Sequence, residues 1–423
     1  MTSKLASNHG SKEHSSTGAR RRGVGPSAFY LAAALALTAS ACTSDDKKTG
    51  NAGDGSTGTD AEFESCLANV QSLCITHDQD TAAKMQVPCK AIQFIPIPLT
   101  DGTQYGPKTI DAGPYASKLD WNQGAGTAYV NQVNMTSETT ICDPTGIDTF
   151  MEPAAATADL KNLRGLDPTL YTIFRPACMK KGETYPVISW ANGTCGYPHG
   201  YAPLLDTIAS YGYVIIASNS VWTDTAPSDG VQERAIDYAE YLNEDTTSPL
   251  YHRLDLTKVG AMGHSQGAAA TIKAAADSRV KSVIFWNYGT TNDKPFLTVS
   301  GDHDVMSPTI DTISALADIS TQPAEWIFFH QILQTGGNTT GHLVLMEQPD
   351  RVWKMAVDYW DWQLKGNEEA KKTFVGSDCG LCTTPDQYDY GVNSVLSGIP
   401  RPSDAGSPKG GSPEAGSPEA GSR

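Results

Sequence analysis

The strongest candidate for a catalytic side chain is Ser265, which lies in the segment 263–267 with the sequence Gly-His-Ser-Gln-Gly. The segment follows the apolar run 259–262 and precedes the alanine-rich segment 268–276, so we predict that it joins a buried strand to a helix. A serine between glycines at such a junction is a nucleophile elbow, because the glycines allow a sharp, strained turn that exposes the hydroxyl. The pattern predicts a serine hydrolase.

A serine hydroxyl is a weak nucleophile unless a histidine takes its proton and a carboxylate orients that histidine. On an α/β-hydrolase sheet the acid follows the serine and precedes the histidine. The loop 301–308, which follows the apolar run 296–300, contains Asp302 and Asp304. We favour Asp304, because the loop needs several residues to reach its neighbour, and we expect Asp302 to brace the turn. His303 between them is interpreted as a loop residue.

The base is expected in the loop after the last strand. His342 fits, since it follows the glycine-rich segment 336–341 and precedes a predicted helix. His330 is a rival within the apolar run 326–332, where we expect a structural histidine. His264 is adjacent to the serine, so its side chain points elsewhere and is predicted to shape the floor of the pocket.

The tetrahedral intermediate of acyl transfer needs two N–H donors. One is the amide of Gln266, the residue after the nucleophile. The other is expected from the glycine-rich loop 192–196, where the amide of Thr194 is our first choice. Cys195 in the same loop is a second potential nucleophile, but with a serine already on an elbow we assign it to a disulfide or to packing.

From about Asp167 onward, seven apolar runs of strand length alternate with helix-like segments. Because these runs are continuously apolar rather than alternating, they predict strands that are buried on both faces of a parallel sheet. We therefore predict an α/β-hydrolase fold with a mostly parallel central sheet flanked by helices. The predicted strands are 170–175, 187–190, 214–217, 259–262, 280–285, 296–300 and 326–332.

Two of the intervening helices follow from their apolar spacing. We predict Asp229 as the N-cap of the first helix and Gly366 as the stop of the second. Their apolar positions are Val231, Ala235, Ile236, Ala239 and Leu242 in the first, and Val352, Ala356, Tyr359, Trp360 and Leu364 in the second.

The N-terminus has the layout of a secretory signal, with three consecutive arginines followed by the apolar run 29–37. That run is too short to span a membrane. Cleavage after Ala41 and lipidation at Cys42 are the two alternatives. We predict a signal peptide at 1–41 and a flexible tether at 42–60, in an exported protein that is either lipid-anchored through Cys42 or secreted.

Three regions follow the tether. Residues 61–165 are irregular and form a cysteine-containing extension, and residues 166–399 form the catalytic domain. Residues 400–423 are a Gly-Ser-Pro-Glu-Ala repeat, which we expect to be disordered because it cannot form a core.

Eight cysteines remain after Cys42, and an even number in an exported protein predicts disulfides. Their connectivity does not follow from the sequence. Cys379 and Cys382 form a C-x-x-C pair without a second such pair or an H-x-x-x-H, so we expect a structural bridge rather than a zinc or redox site.

The composition limits the partners of the chain. Across 423 residues, 31 lysines and arginines stand against 47 aspartates and glutamates, a formal net charge of −16. Such a charge argues against nucleic acid as a partner. We expect a monomer that requires neither a metal nor an organic cofactor.

Several segments go beyond the generic fold and closely resemble bacterial cutinases and poly(ethylene terephthalate) hydrolases. They are the run 248–265 that leads to the nucleophile, the segment 208–220, the acid loop 304–308, and the terminal helix with its cysteine-bearing tail, 356–379. The resemblance covers residues 167–382, about half of the chain, and its motifs are specific in combination.

The resemblance implies Ser265, Asp304 and His342 as the triad and the amides of Thr194 and Gln266 as the oxyanion hole. The chain departs from the family at two of these positions, because Thr194 stands where the family has an aromatic residue and Gln266 where it has methionine.

The resemblance also implies an aromatic wall that binds the substrate. Trp286 lies near the position of the family's tryptophan, and Tyr288 is an alternative in a different register.

The sequence thus predicts an exported serine hydrolase that cleaves carboxylic esters or polyesters through an acyl-enzyme intermediate. An esterase that acts on acyl esters of polysaccharides or on lipids is an alternative. An inactive hydrolase fold that serves as a surface binding protein is another, and the occupied triad positions argue against it.

Overall fold

The computed structural model describes residues 61–76, 88–94, 96–99, 101–120, 171–194, 196, 198–220, 223–224, 230–330, 340–376, 379–393 and 395–396. They belong to one unit, Gly58–Arg423. The predicted signal peptide, tether and C-terminal tail lie outside the described residues, as do Cys42, Cys142 and Cys195.

The described part of the N-terminal extension begins with a helix and five short strands. The three-stranded sheet formed there has the order β1-β2-β5, with β1 parallel and β5 antiparallel to β2, and β3 pairs with β4. These elements are α1 (Ala61–Asn69), β1 (Cys74–Thr76), β2 (Ala91–Phe94), β3 (Ile97–Pro98), β4 (Gln104–Tyr105) and β5 (Lys108–Asp111).

A nine-stranded sheet forms the core, in the order β14-β13-β12-β11-β10-β8-β9-β7-β6. The six strands from β13 to β9 in that order are parallel to one another. At one edge β14 pairs antiparallel with β13, and at the other edge β7 pairs antiparallel with both β9 and β6. The strands are β6 (Ser117–Asp120), β7 (Tyr171–Pro176), β8 (Tyr185–Ala191), β9 (Val214–Ser218), β10 (Leu254–His264), β11 (Val280–Trp286), β12 (Phe296–Gly301), β13 (Ala324–Phe329) and β14 (Tyr388–Val392).

Helices cover both faces of this sheet, as expected for parallel strands that are apolar on both sides. The helices α2 and α7 pack on one face, and α3, α4 and α5 pack on the other. The helices that follow α1 are α2 (Ala202–Ser210), α3 (Val231–Glu244), α4 (Gln266–Ala274), α5 (Ile310–Asp318), α6 (Val344–Glu347), α7 (Pro349–Lys365) and α8 (Glu368–Lys371).

The α/β-hydrolase architecture predicted from the sequence is confirmed, and each of the seven predicted strands overlaps an observed one. The predicted strand 326–332 is wrong at its end, because β13 stops at Phe329. Beyond that point the backbone amide of His330 bonds to the carbonyl of Gln387 outside the ladder.

The helix ends give one confirmed and one wrong prediction. Gly366 ends α7 with a φ of 67°, a left-handed conformation that glycine adopts readily. Asp229 is not the N-cap of α3, since Gly230 occupies that position with a φ of 80° and the helix has no side-chain cap. Asp229 itself lies outside the described residues.

Three disulfides join the described cysteines, which confirms the prediction that the cysteines pair. Cys66–Cys178 links α1 to the residues after β7, and Cys74–Cys89 closes the loop between β1 and β2. Cys379–Cys382 is a local bridge after α8. Since β6 also pairs with β7 at the edge of the nine-stranded sheet, the extension is joined to the main sheet both covalently and by strand pairing.

Candidate active site

Ser265 lies at the junction between β10 and α4, as the elbow motif predicts. Its backbone has a φ of 53° and a ψ of −116°, a conformation that is unfavourable for a residue with a Cβ atom. The amide of Ser265 donates to the carbonyl of Trp286 on the neighbouring strand, at 2.9 Å. The turn is therefore held in its strained form by the sheet beside it.

The two glycines of the elbow are required by close backbone contacts. A Cβ atom on Gly263 would lie 2.2 Å from the carbonyl oxygen of Gly267, and one on Gly267 would lie 2.1 Å from that of Ala191. No side chain fits at either position, because non-bonded carbon and oxygen atoms cannot approach so closely. The glycines thus allow α4 to start directly against β8.

The predicted acid and base are in contact. The Nδ1 atom of His342 lies 3.0 Å from Oδ2 and 3.1 Å from Oδ1 of Asp304, and both side chains are buried. Burial by itself raises the pKa of Asp304, but hydrogen bonds from His342, Ser307 and Asn287 outweigh it and lower this pKa to about 2. The ionised carboxylate accepts from Nδ1, which leaves Nε2 of His342 as the proton acceptor.

Two polar residues that the sequence analysis missed hold this pair. Asn287 donates from Nδ2 to Oδ2 of Asp304 at 2.8 Å and to the carbonyl of Gly341 at 3.0 Å. The hydroxyl of Ser307 donates to the carbonyl of Asn287, and its amide donates to Asp304. A polar residue directly after an apolar strand was the available signal for Asn287, because such positions lie at the carboxyl edge of a parallel sheet.

The rival histidines have other partners. Nε2 of His330 lies 2.9 Å from a carboxylate oxygen of Asp389, at the edge strand β14. His303 lies in the acid loop with a φ of 59°. His264 is buried, and its Nε2 lies 2.7 Å from the backbone carbonyl of His342. The contact of His330 agrees with the structural role expected for it. The roles expected for His303 and His264 stay predictions.

The loop after β8 starts beside the elbow, because Ala191 pairs with Gly263 in the parallel ladder. Thr194 is exposed in this loop. The amide of Gly193 is bonded to the hydroxyl of Tyr201, whereas within the described chain no protein acceptor is found for the amides of Thr194 and Gln266. These two amides therefore remain available to a bound oxyanion.

The prediction that Trp286 forms an exposed aromatic wall is wrong. Trp286 is the last residue of β11, and its side chain is completely buried in the core on the face covered by α2 and α7. Tyr288, the alternative, is half-buried beside the core on the opposite face and stays a prediction. The strand ends at Trp286 and Asn287 has a φ of 53°, so the alternation of the strand does not continue to Tyr288 and the two aromatic side chains lie on different faces.

Metal sites and membrane-spanning helices are both absent from the residues that the structure describes. Among them, no cluster of three or more histidine, cysteine, aspartate or glutamate side chains is arranged to hold a metal ion. No helix among the same residues has the length and apolar character to cross a membrane.

Comparison with known proteins identifies relatives of the central part of the chain. Residues 172–329, which include most of the sheet and the elbow, match the PETase family model, described as PET hydrolase-like. Cutinase est1 of Thermobifida alba is 31% identical over 106 residues, which cover 25% of this chain and 34% of the relative. Cutinase 2 of Thermobifida cellulosilytica is 26% identical over 147 residues, which cover 33% and 54%.

The chain thus spans between a third and about half of the length of the curated relatives described above. The match lies on the same strands that carry the elbow and the acid loop. Over residues 172–329 the chain is therefore similar to PET hydrolase-like proteins, and its central part is similar to cutinases.

Proposed function

We propose that this protein is a serine carboxylic ester hydrolase of the cutinase type, with Ser265, His342 and Asp304 as its catalytic triad. The observation that carries the proposal is the buried, ionised Asp304 held on Nδ1 of His342, at the sheet edge from which Ser265 projects on a strained turn. Three side chains from separate loops serve the three roles that ester hydrolysis needs.

In the proposed mechanism, the hydroxyl oxygen of Ser265 attacks the ester carbonyl carbon while Nε2 of His342 takes the hydroxyl proton. Asp304 keeps the proton on Nδ1 and stabilises the imidazolium. Collapse of the tetrahedral intermediate expels the alcohol, which receives the proton from His342. Water then attacks the acyl-enzyme by the same steps and restores the free serine.

The negative charge of each tetrahedral intermediate is proposed to lie against the amides of Thr194 and Gln266. The lack of a protein acceptor for either amide in the described chain supports this role. The amide of Gln266 is also the first of α4, so the positive end of the helix dipole adds to it.

The proposed substrates are carboxylic esters, including polyesters, because the named relatives are cutinases. We further propose that the protein is exported, with or without a lipid at Cys42, and that it acts as a monomer. Acyl esters of polysaccharides and lipids are the alternative substrates.

The first experiment is labelling with a fluorophosphonate probe combined with hydrolysis of p-nitrophenyl esters. The wild type is expected to react with the probe and to turn over esters, and Ser265→Ala is expected to lose both while its circular dichroism is unchanged. Ser314→Ala, on the outer helix α5, is the matched control and should behave as the wild type. Ester turnover that survives in Ser265→Ala contradicts the triad, and an unreactive wild type indicates an inactive binding protein.

The second experiment ranks substrates for the same enzyme. Acetylated xylan, tributyrin, an amorphous aliphatic polyester and a terephthalate polyester are compared by released acid. Release from either polyester supports the cutinase assignment. Activity confined to acetylated xylan, or to tributyrin, contradicts it in favour of a polysaccharide esterase or a lipase.

A further inference from the structure

A hydrogen-bond chain leaves the elbow through the residue before the nucleophile. The Nδ1 atom of His264 lies 2.9 Å from the hydroxyl of Tyr201, and that hydroxyl lies 3.1 Å from the amide nitrogen of Gly193. The other ring nitrogen of His264 lies 2.7 Å from the carbonyl of His342. One buried imidazole therefore joins the base loop to the loop after β8.

The direction of each bond in this chain follows from its partners. The carbonyl of His342 only accepts, so Nε2 of His264 carries a proton. Burial and the nearby His342 lower the pKa of His264 to about 3, so the ring is neutral and its Nδ1 accepts from the hydroxyl of Tyr201. The oxygen of Tyr201 in turn accepts from the amide of Gly193. Every group in this first chain is satisfied.

A second chain leaves the elbow through the residue after the nucleophile. The side-chain oxygen of Gln266 accepts from the amide of Thr223 at 3.2 Å. The hydroxyl of Thr223, which is completely buried, donates to the backbone carbonyl of Asn192 at 2.9 Å. Both chains thus end on consecutive residues of one loop, Asn192 and Gly193, which directly precede Thr194.

The side chain of Asn192 adds a support from the sheet. Its Oδ1 accepts from the indole of Trp190 at 2.8 Å, and its Nδ2 donates to the carbonyl of Ser218 at 2.6 Å. Gly193 packs so closely on the first chain that a Cβ atom there would lie 2.6 Å from Nδ1 of His264. The backbone before Thr194 is therefore held from three sides.

We propose that Tyr201 and Thr223 are positioning residues that hold Asn192 and Gly193, in the loop after β8, against the two neighbours of Ser265. The inference rests on the proposed ester hydrolysis and deepens it. An oxyanion hole lowers a barrier only if its donors are already aimed at the developing charge, and Thr194 lies in an exposed loop. Fixing Asn192 and Gly193 to the residues that flank the nucleophile sets the amide of Thr194 relative to the Ser265 hydroxyl.

The test removes one hydroxyl from each chain with Tyr201→Phe and Thr223→Val. Each variant is expected to lower kcat by about 10- to 100-fold, because misplacing one oxyanion donor weakens the transition state, and to leave KM within about 3-fold. The inhibition constant of a boronic acid, whose serine adduct is tetrahedral, should rise by the same factor as kcat/KM falls. That of the product acid should not change.

Two control variants remove hydroxyls that are equally buried but do not contact the loop. The hydroxyl of Tyr213 donates to Asp361 and that of Thr207 donates to the carbonyl of Pro203. Tyr213→Phe and Thr207→Val should lose thermal stability as the test variants do but keep the kcat and the boronate affinity of the wild type.

Gln266→Met provides a second route if Thr223→Val does not fold, because it removes the acceptor while the backbone amide stays. Gln266→Met should reproduce the loss in kcat. Where Thr223→Val folds, the double variant Thr223→Val/Gln266→Met should lose no more kcat than either single variant, since Thr223 and Gln266 act as a unit. The inference is overturned if the folded variants keep the kcat and the boronate affinity of the wild type. This result must be found in Tyr201→Phe and also in Thr223→Val or Gln266→Met. A wild type that does not react with fluorophosphonate overturns the proposed function instead.

Discussion

Two carboxylates, Asp302 and Asp304, stand two residues apart in the acid loop, and their side chains have different surroundings. Asp304 contacts Nδ1 of His342 and accepts the amides of Met306 and Ser307, so its charge is compensated although it is buried. The amide of Asp302 donates to the carbonyl of Phe329 and ties the start of the loop to β13. At the scale of the residue, the conformation of this turn therefore places the carboxylate of Asp304 against His342.

Asp304→Asn is expected to lower kcat by about 10⁴-fold, because an amide does not stabilise the imidazolium and can impose the wrong tautomer on His342. Steady-state hydrolysis of a p-nitrophenyl ester measures the loss. Asp302→Asn, the matched control, should stay within about 5-fold of the wild type, since its effect is confined to the turn. Equal losses in the two variants would contradict the assignment of the acid.

At the scale of the elements, the contact between the extension and α2 contains a buried acid. Asp206 of α2 is 6% exposed and accepts a hydrogen bond from Ser117 of β6. Burial raises the pKa of Asp206 to about 7, and the bond from Ser117 offsets only part of this rise. The folded protein therefore holds a proton on Asp206 at pH values where the unfolded chain has released it.

This proton predicts the sign of a pH effect. Because the native state binds more protons between pH 4 and 7, the Asp206 contribution to the free energy of unfolding falls as pH rises through this window. Asp206→Asn, which mimics the neutral acid, should be more stable than the wild type at pH 8 by up to about 4 kcal/mol and nearly equal to it at pH 4. Urea unfolding at the two pH values measures the difference.

Asp311→Asn, an exposed carboxylate in the first turn of α5, serves as the control and should show no such pH-dependent gain. Glu325 of β13 is also buried, and burial raises its pKa well above the ordinary value, so the wild type keeps a pH dependence of its own. The comparison between variant and wild type therefore carries the result. A gain of the same size at both pH values would show that Asp206 does not hold the proton.

At the scale of the whole molecule, the Cys66–Cys178 disulfide closes a long loop of the chain. Cys66 and Cys178 are 112 residues apart, whereas Cys379 and Cys382 are 3 apart. A cross-link restricts the unfolded chain more strongly when it closes a longer loop. We therefore expect the Cys66–Cys178 disulfide to stabilise the fold more than the Cys379–Cys382 disulfide does.

Replacing Cys66 and Cys178 with alanine should lower the free energy of unfolding by about 3 to 5 kcal/mol. Replacing Cys379 and Cys382 with alanine removes the same atoms, and Cys379 is as buried as Cys178. This second pair of substitutions should lower the free energy of unfolding by clearly less, because its loop is short. Unfolding in guanidinium chloride, followed by circular dichroism, compares the two pairs. A smaller loss for the long loop than for the short one would refute the larger role given to the Cys66–Cys178 disulfide.

The parts of the fold that followed from the sequence are the central strands and the elbow. Strands such as β9 and β11 are continuously apolar because both of their faces are buried, and this pattern survives without knowledge of any neighbour. The edge strands β6 and β14 were not predicted, since they are short, mixed in polarity and formed by pairing with β7 and β13. Pairing between distant segments has no local signature.

The sequence by itself predicted the fold, the elbow at Ser265 and the order of the triad candidates, because close-packed glycines and apolar periodicity are local requirements. Only the tertiary structure decided that Asp304 rather than Asp302 contacts His342, that Trp286 is buried, and that Tyr201 and Thr223 bond to the loop before Thr194. These outcomes depend on strand register and on the direction in which each loop leaves the sheet. Both are set by contacts between residues far apart in the chain.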